Sequence, residues 1–204
     1  MTSQKGGSPI ATNDPLWLAS ASARRQALLG QIGLEPERIM PADIDETPAP
    51  RELPQDYAKR MAVEKGGQVQ GCAEDAMTPY VLSADTVVAV GRRILPKAET
   101  QEQASACLRL LSGRAHRVYT SVSLMHADTA VVKTVQSRVH FRRLNEDDIA
   151  WYIATRDWEG KAGGYAIQGK AAVFVKNLQG SYSNVVGLPL FETAGLLRGC
   201  GYRF

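Results

Sequence analysis

Cysteine is scarce in this 204-residue chain, and the three present, Cys72, Cys107 and Cys200, are far apart and odd in number. They lack the paired spacing of a zinc site or a redox motif, so a disulfide framework is excluded and they read as free thiols in a reducing compartment. Histidine is equally sparse: His116, His126 and His140 show no pair at metal-ligand spacing. No serine sits in a nucleophile-elbow pattern, and no glycine-rich lysine loop of the Walker type occurs. Basic residues form no run, the net charge is only +3 and aromatics make up 7%, which disfavours a nucleic-acid coat or a base-stacking RNA module. No apolar stretch approaches the roughly 20 residues that span a bilayer. Residues 1–14, with Gly6, Gly7 and Pro9, lack a secretory hydrophobic region and read as a disordered extension ahead of a single domain over residues 15–204. The expected location is cytoplasmic, without membrane or stable nucleic-acid partners.

What is present is ordinary globular usage, 44% hydrophobic and 22% charged, enough for a sizeable core. The most informative stretch runs from Leu16 to Arg25. An apolar strand ends in Ser20 and Ser22, and Gln26 to Ile32 continue as a helix with one apolar face, so either serine is a candidate cap. Arg24 and Arg25 then stand at a helix N-terminus, where arginine is ordinarily disfavoured and an anion is welcome. A polyphosphate fits that placement; a solvated first turn is the plainer alternative.

The spacing further predicts a strand over Arg38 to Ile44 that exits into Asp45-Glu46, and a helix over Gln55 to Val69 with Tyr57 and Met61 inward. Tyr80 to Val90 is the clearest buried strand. Thr100 with Gln103 forms a capping-box pattern before a helix to Leu111. Arg117–Met125 and Ala130–Arg142 read as a hairpin, and Asn145 caps a helix to about Thr155. A glycine-rich loop, a strand over Ala171 to Val175, a loop around Gly180 to Asn184 and a helix after Pro189 complete the chain. Strands alternating with helices around one hairpin predict a mixed, twisted α/β sheet with flanking helices.

Asp85 interrupts the apolar strand, and a buried carboxylate needs an ion pair, a hydrogen-bond network or a metal. Glu46 or Asp45 leaves another strand end; with Asp85 it would offer oxygen ligands to a divalent cation that also bridges phosphates. Lys65, Lys97 and Lys161 lie beside loops or helix ends, suited to separate phosphate contacts or to plain surface roles. Within Lys161–Gly169, glycines surround Gln168, whose amide both donates and accepts and so can read a base edge.

These pieces resemble the Maf family of nucleoside triphosphate pyrophosphatases. The carriers are Ser20 to Arg25 with Leu28-Leu29, Asp45-Glu46, Ser83-Ala84-Asp85-Thr86, Leu111-Ser112-Gly113 with His116 and Thr120, Lys161 to Gly169, and Asn184 to Pro189. The resemblance implies two lobes around a central cleft, often in a homodimer, and hydrolysis between the α- and β-phosphates to a monophosphate and pyrophosphate. It implies Asp85, Glu46 and Lys97 as catalytic, with Glu46 and Asp85 toward a divalent metal (Mg, Mn or Co). Ser20, Arg25, Lys65 and Lys161 fall on the phosphate side. Arg24, Thr86 and Gln168 fall at specificity positions and resemble the dTTP and UTP branch, the branch acting on 7-methyl-GTP carrying Trp, Gln and Glu there. Alternatives are another modified nucleotide, such as 7-methyl-GTP, or a non-catalytic nucleotide-binding regulator of cell division. The chain departs from the pattern at Ala23 for a common proline, at Gly66 for a usual alanine, and in the order Pro96-Lys97-Ala98.

Overall fold

The computed structural model describes residues 14–74 and 77–204. Three-residue β1 (Leu16–Leu18) feeds α1 (Ala23–Gln31), and β2 (Arg38–Ile39) returns parallel to β1. Helix α2 (Pro54–Gln70) begins on a proline, whose fixed φ suits the first turn. Then come β3 (Tyr80–Val90), β4 (Arg93–Leu95), β5 (Lys97–Ala98), α3 (Gln101–Leu111), β6 (Ala115–His126) and β7 (Thr129–Phe141). The chain ends with α4 (Glu146–Ala154), β8 (Lys161–Ala162), a 3-10 turn (Lys170–Phe174), β9 (Val175–Gln179), α5 (Tyr182–Val186) and α6 (Leu190–Gly199). The main sheet runs β2-β1-β3-β6-β7-β9, with β4 also on β3, and is parallel only at β1. A second ladder, β5 with β8, stands apart. The mixed sheet read from the sequence is therefore observed.

Residues along β3 alternate between the two faces of the sheet. Leu82, Ala84 and Val88 enter the large cluster with Leu28, Leu108 and Val122. Val81 packs with Trp17 and Val69, and Val87 and Ala89 pack with Tyr57 and Met61. Helix α2 thus covers the face to which the odd-numbered side chains point. Because the period is two, Asp85 turns toward α2 and Thr86 toward α1 and α5.

One edge of β3 is paired with β6 through Ala89. The other edge pairs with β1 only as far as Leu82 and with β4 only from Val88. The intervening residues face a gap in the sheet. Side chains from both faces of β3 reach the same hollow through it.

Several expectations need correction. The strand over Arg38 to Ile44 stops at Ile39, because β1 is only three residues long and Pro41 has no N–H for a ladder. Glu46 therefore comes from an irregular segment and not a strand end. The segment expected as a strand over Ala171 to Val175 is mostly the 3-10 turn: Ala171 and Phe174 are both fully buried at a spacing of three. The loop around Gly180 to Asn184 contains the start of α5, whose cap Ser181 accepts from the Asn184 N–H at 3.2 Å. Ser22 is the α1 cap by position, but its side chain makes no capping bond.

The extension expected over residues 1–14 lies outside the described residues except for Asp14, whose carboxylate meets His126 Nε2 at 2.9 Å. Among the described residues, no helix is long and apolar enough to cross a membrane.

Candidate active site

A cavity of about 300 Å³ opens at the gap in the sheet. The β1–α1 turn, β3 and the end of α5 form one side; the β5/β8 ladder and the loop before the 3-10 turn form the other. Ten of the eleven side chains singled out from the sequence line it: Ser20, Arg24, Arg25, Glu46, Lys65, Asp85, Thr86, Lys97, Lys161 and Gln168. Asp45 does not line it; its carboxylate accepts from the Thr47 N–H at 2.9 Å in an exposed turn. Of the two neighbouring acids, Glu46 is the one that lines the cavity.

On the α2 face, Lys65 is buried and its ammonium lies between two carboxylates, 2.6 Å from Asp85 Oδ1 and 2.7 Å from Glu46 Oε1. Lys97 pairs with the other Glu46 oxygen. Burial alone would raise the Glu46 carboxyl, but hydrogen bonds from Lys65 and Lys97 outweigh it and hold the group at about 2. Tyr57 donates its hydroxyl to the Glu46 carbonyl at 2.7 Å, anchoring the irregular segment to α2. Burial, with Asp85 and Glu46 nearby, pushes the Tyr57 phenol upward and keeps it a donor.

On the opposite face Arg25 is held at all three nitrogens. Nε donates to the Gly187 carbonyl at 2.8 Å, Nη1 to Ser20 Oγ at 2.8 Å, and Nη2 to Thr86 Oγ1 at 3.4 Å. Gly187 caps α5 at φ 132°, a backbone that favours glycine, and so turns its carbonyl onto the arginine. Burial lowers the Arg25 guanidinium from its ordinary value, with Asp85 opposing that shift.

Behind Thr86 runs a hydroxyl chain. Thr120 donates its one proton to the Asn184 carbonyl at 2.8 Å, so in the 2.9 Å contact between the two threonines the donor is Thr86. Asn184 is fully buried and its amide donates to Val118 O and Ser137 Oγ, fastening α5 to β6 and β7.

Toward the rim, Arg24 has a buried Nε without a partner among the described residues, and burial lowers its guanidinium. Burial, then the nearby Arg24 charge, lowers Lys161, whose ammonium donates to the Glu159 carbonyl at 2.6 Å. Gln168 is exposed at the mouth. Its loop is pinned from below: Tyr165 meets His116 Nε2 at 2.8 Å, and the Ala166 N–H donates to Tyr152 Oη at 3.1 Å. Burial, with His140, pushes His116 down to about 4, so it is a neutral strut.

The cavity thus presents five cationic side chains against two carboxylates. That balance suits a polyanion. A family model described as Maf-like protein matches residues 15–200. The chain belongs to the Maf-like family. Among its relatives is a dTTP/UTP pyrophosphatase of Rhodopseudomonas palustris, 56% identical over 92% of each chain. Another, of Caulobacter vibrioides and bearing the same name, is 53% identical over 95% of this chain and all of its own. A HAM1 protein from Coxiella burnetii shares the fold, at 16% identity and a TM-score of 0.50 over 90% of this chain and 98% of that one.

In this Maf-like chain the carboxylate pair does not fit a metal held by the protein alone. A divalent cation seeks about six oxygen ligands. Among the described residues no three His, Cys, Asp or Glu side chains converge, and Lys65 stands between the two carboxylates available. Sequence reasoning did not single out Tyr57, Asn184 or Gly187 as supports. The only trace of Asn184 and Gly187 was the run from Asn184 to Pro189, and nothing in Tyr57 distinguished it from a core residue.

Proposed function

We propose that this protein is a nucleoside triphosphate pyrophosphatase for dTTP and UTP, its activity carried by the single domain over residues 15–204. The observation that supports it most directly is the cationic surplus gathered around Asp85 in one cavity. The relatives that bear this activity in their names align over nearly the whole chain.

In this reading a water oxygen attacks phosphorus at the linkage between the α- and β-phosphates. The P–O bond to the departing group breaks, and Asp85 orients the water and takes its proton before passing it to solvent. Arg25, Lys65 and Lys97 offset the charge that builds on the departing pyrophosphate, and Ser20 and Lys161 contact the phosphates at the cleft walls. Glu46 holds the two lysines apart and aimed inward. Arg24, Thr86 and Gln168 receive the base, where polar groups left unpaired by a wrong base lower its reaction rate.

The test is a panel of dTTP, UTP, CTP and 7-methyl-GTP incubated with pure protein and Mg²⁺ or Mn²⁺, with the products identified. The expected products are a monophosphate and pyrophosphate from dTTP and UTP. Asp85→Asn should lower turnover about 100-fold or more; near-parental pyrophosphate release by the folded variant would refute the role of Asp85. Binding without turnover would instead favour the non-catalytic regulator. Light scattering on the same sample checks the homodimer that the resemblance implies.

A further inference from the structure

Asp85 and Glu46 come from different elements, and Lys65 is the group that joins them. It projects from the interior of α2, is 7% exposed, and contacts one oxygen of each carboxylate at 2.6 and 2.7 Å. The remaining Glu46 oxygen belongs to Lys97. Two negative charges are thus met by two ammonium groups within hydrogen-bond reach, and one of those ammonium groups is itself buried.

We propose that Lys65 is the resident cation of this site: it closes the Asp85–Glu46 pair in the free protein, so a divalent cation does not bind there alone and enters only with the phosphates of a nucleotide. The proposal rests on the nucleotide reading above. A divalent cation between the carboxylates would lie against the Lys65 ammonium, and the carboxylates supply too few oxygens to repay that repulsion. Triphosphate oxygens change both terms. They complete the coordination of the incoming cation, and they give Lys65 new anionic partners in the same cavity. The five cations lining the cavity are consistent with a site that awaits negative charge from its ligand.

The experiment is Mn²⁺ titration of the full chain, with free Mn²⁺ followed by electron paramagnetic resonance. Parent protein with Mn²⁺ alone should show no site tighter than about 1 mM, and an α,β-methylene analogue of UTP should tighten binding at least about tenfold, to one ion per chain. Lys65→Met should bind Mn²⁺ without nucleotide at least about tenfold more tightly than the parent, and its melting temperature should rise when Mn²⁺ is added. Lys97→Met, which frees only one oxygen of Glu46, should gain less than about threefold.

A single tight Mn²⁺ site on the nucleotide-free parent would overturn the proposal, as would a folded Lys65→Met protein with no gain. If Lys65→Met fails to fold, Lys65→Gln, which keeps a donor but no charge, takes its place under the same criterion, and the parent arm stands regardless. Failure of the analogue to bind would count against the nucleotide reading, while the nucleotide-free arms would still decide the role of Lys65.

Discussion

Arg25→Lys keeps a positive charge at the head of α1 and removes the planar fork that the structure uses three times. In the parent, two short bonds reach the Gly187 carbonyl and Ser20 Oγ at 2.8 Å each, and a longer one reaches Thr86 at 3.4 Å. A lysine ammonium can replace one short bond but not both, since Gly187 and Ser20 approach different nitrogens. Hydrogen bonds to a charged group contribute about 1.5–3 kcal/mol each, so the net loss is about 2 kcal/mol. If it falls on the transition state, kcat/KM for dTTP should drop roughly 30-fold. If it falls on the contact between α1 and α5, the melting temperature should drop by about 4–8 °C. Steady-state kinetics paired with a thermal melt separates the two. A variant within about twofold of the parent in kcat/KM and within about 1 °C in melting temperature would show that charge alone is required and that the argument from the fork is wrong.

Two further outcomes follow from other parts of the molecule. The Glu46 carboxyl is held at about 2, against an ordinary 4.5, so the stability it contributes is present above the higher value and is lost as pH falls through the lower one. The urea midpoint should therefore decline between about pH 5 and pH 2, and Glu46→Gln should flatten part of that decline; an identical slope in parent and variant would remove Glu46 from the account. Gly163 sits at φ 67° with an added Cβ only 2.8 Å from Val88 Cγ1, so Gly163→Ala should cost about 1–3 kcal/mol by chemical denaturation. Adding Val88→Ala should recover the steric part and leave the backbone part, and strict additivity of the two changes would refute a direct clash.

The parts of the site legible in the sequence were those where a residue contradicts its surroundings. Asp85 in an apolar strand and two arginines at a helix start each violate a local rule, and such violations gather at functional sites. Strong caps were also legible: Thr100 accepts from the Gln103 N–H, and Asn145 accepts from the Asp148 N–H. The reciprocal bond of the Thr100 pattern goes one residue farther back, from the Glu99 N–H to the Gln103 side chain at 2.8 Å. What stayed hidden depends on the third dimension. Lys65 lies on a helix where surface lysines are ordinary, and only the docking of α2 over β3 reveals that it is buried. The gap between β1 and β4 likewise exists because two short strands pair with separated stretches of one long strand. α5 and the 3-10 turn are too short for periodicity to register.

The threonine pair behind the cavity has a consequence for what the wall can recognise. Thr120 spends its proton on a carbonyl, which obliges Thr86 to spend its own on Thr120. With one lone pair already accepting from Arg25, Thr86 has one left to show the cleft and no hydrogen. On the proposed nucleotide reading, a group bearing N–H or O–H would be received there and a bare carbonyl turned away, so the fully buried Thr120, which does not line the cavity, would set the sign of what that wall accepts.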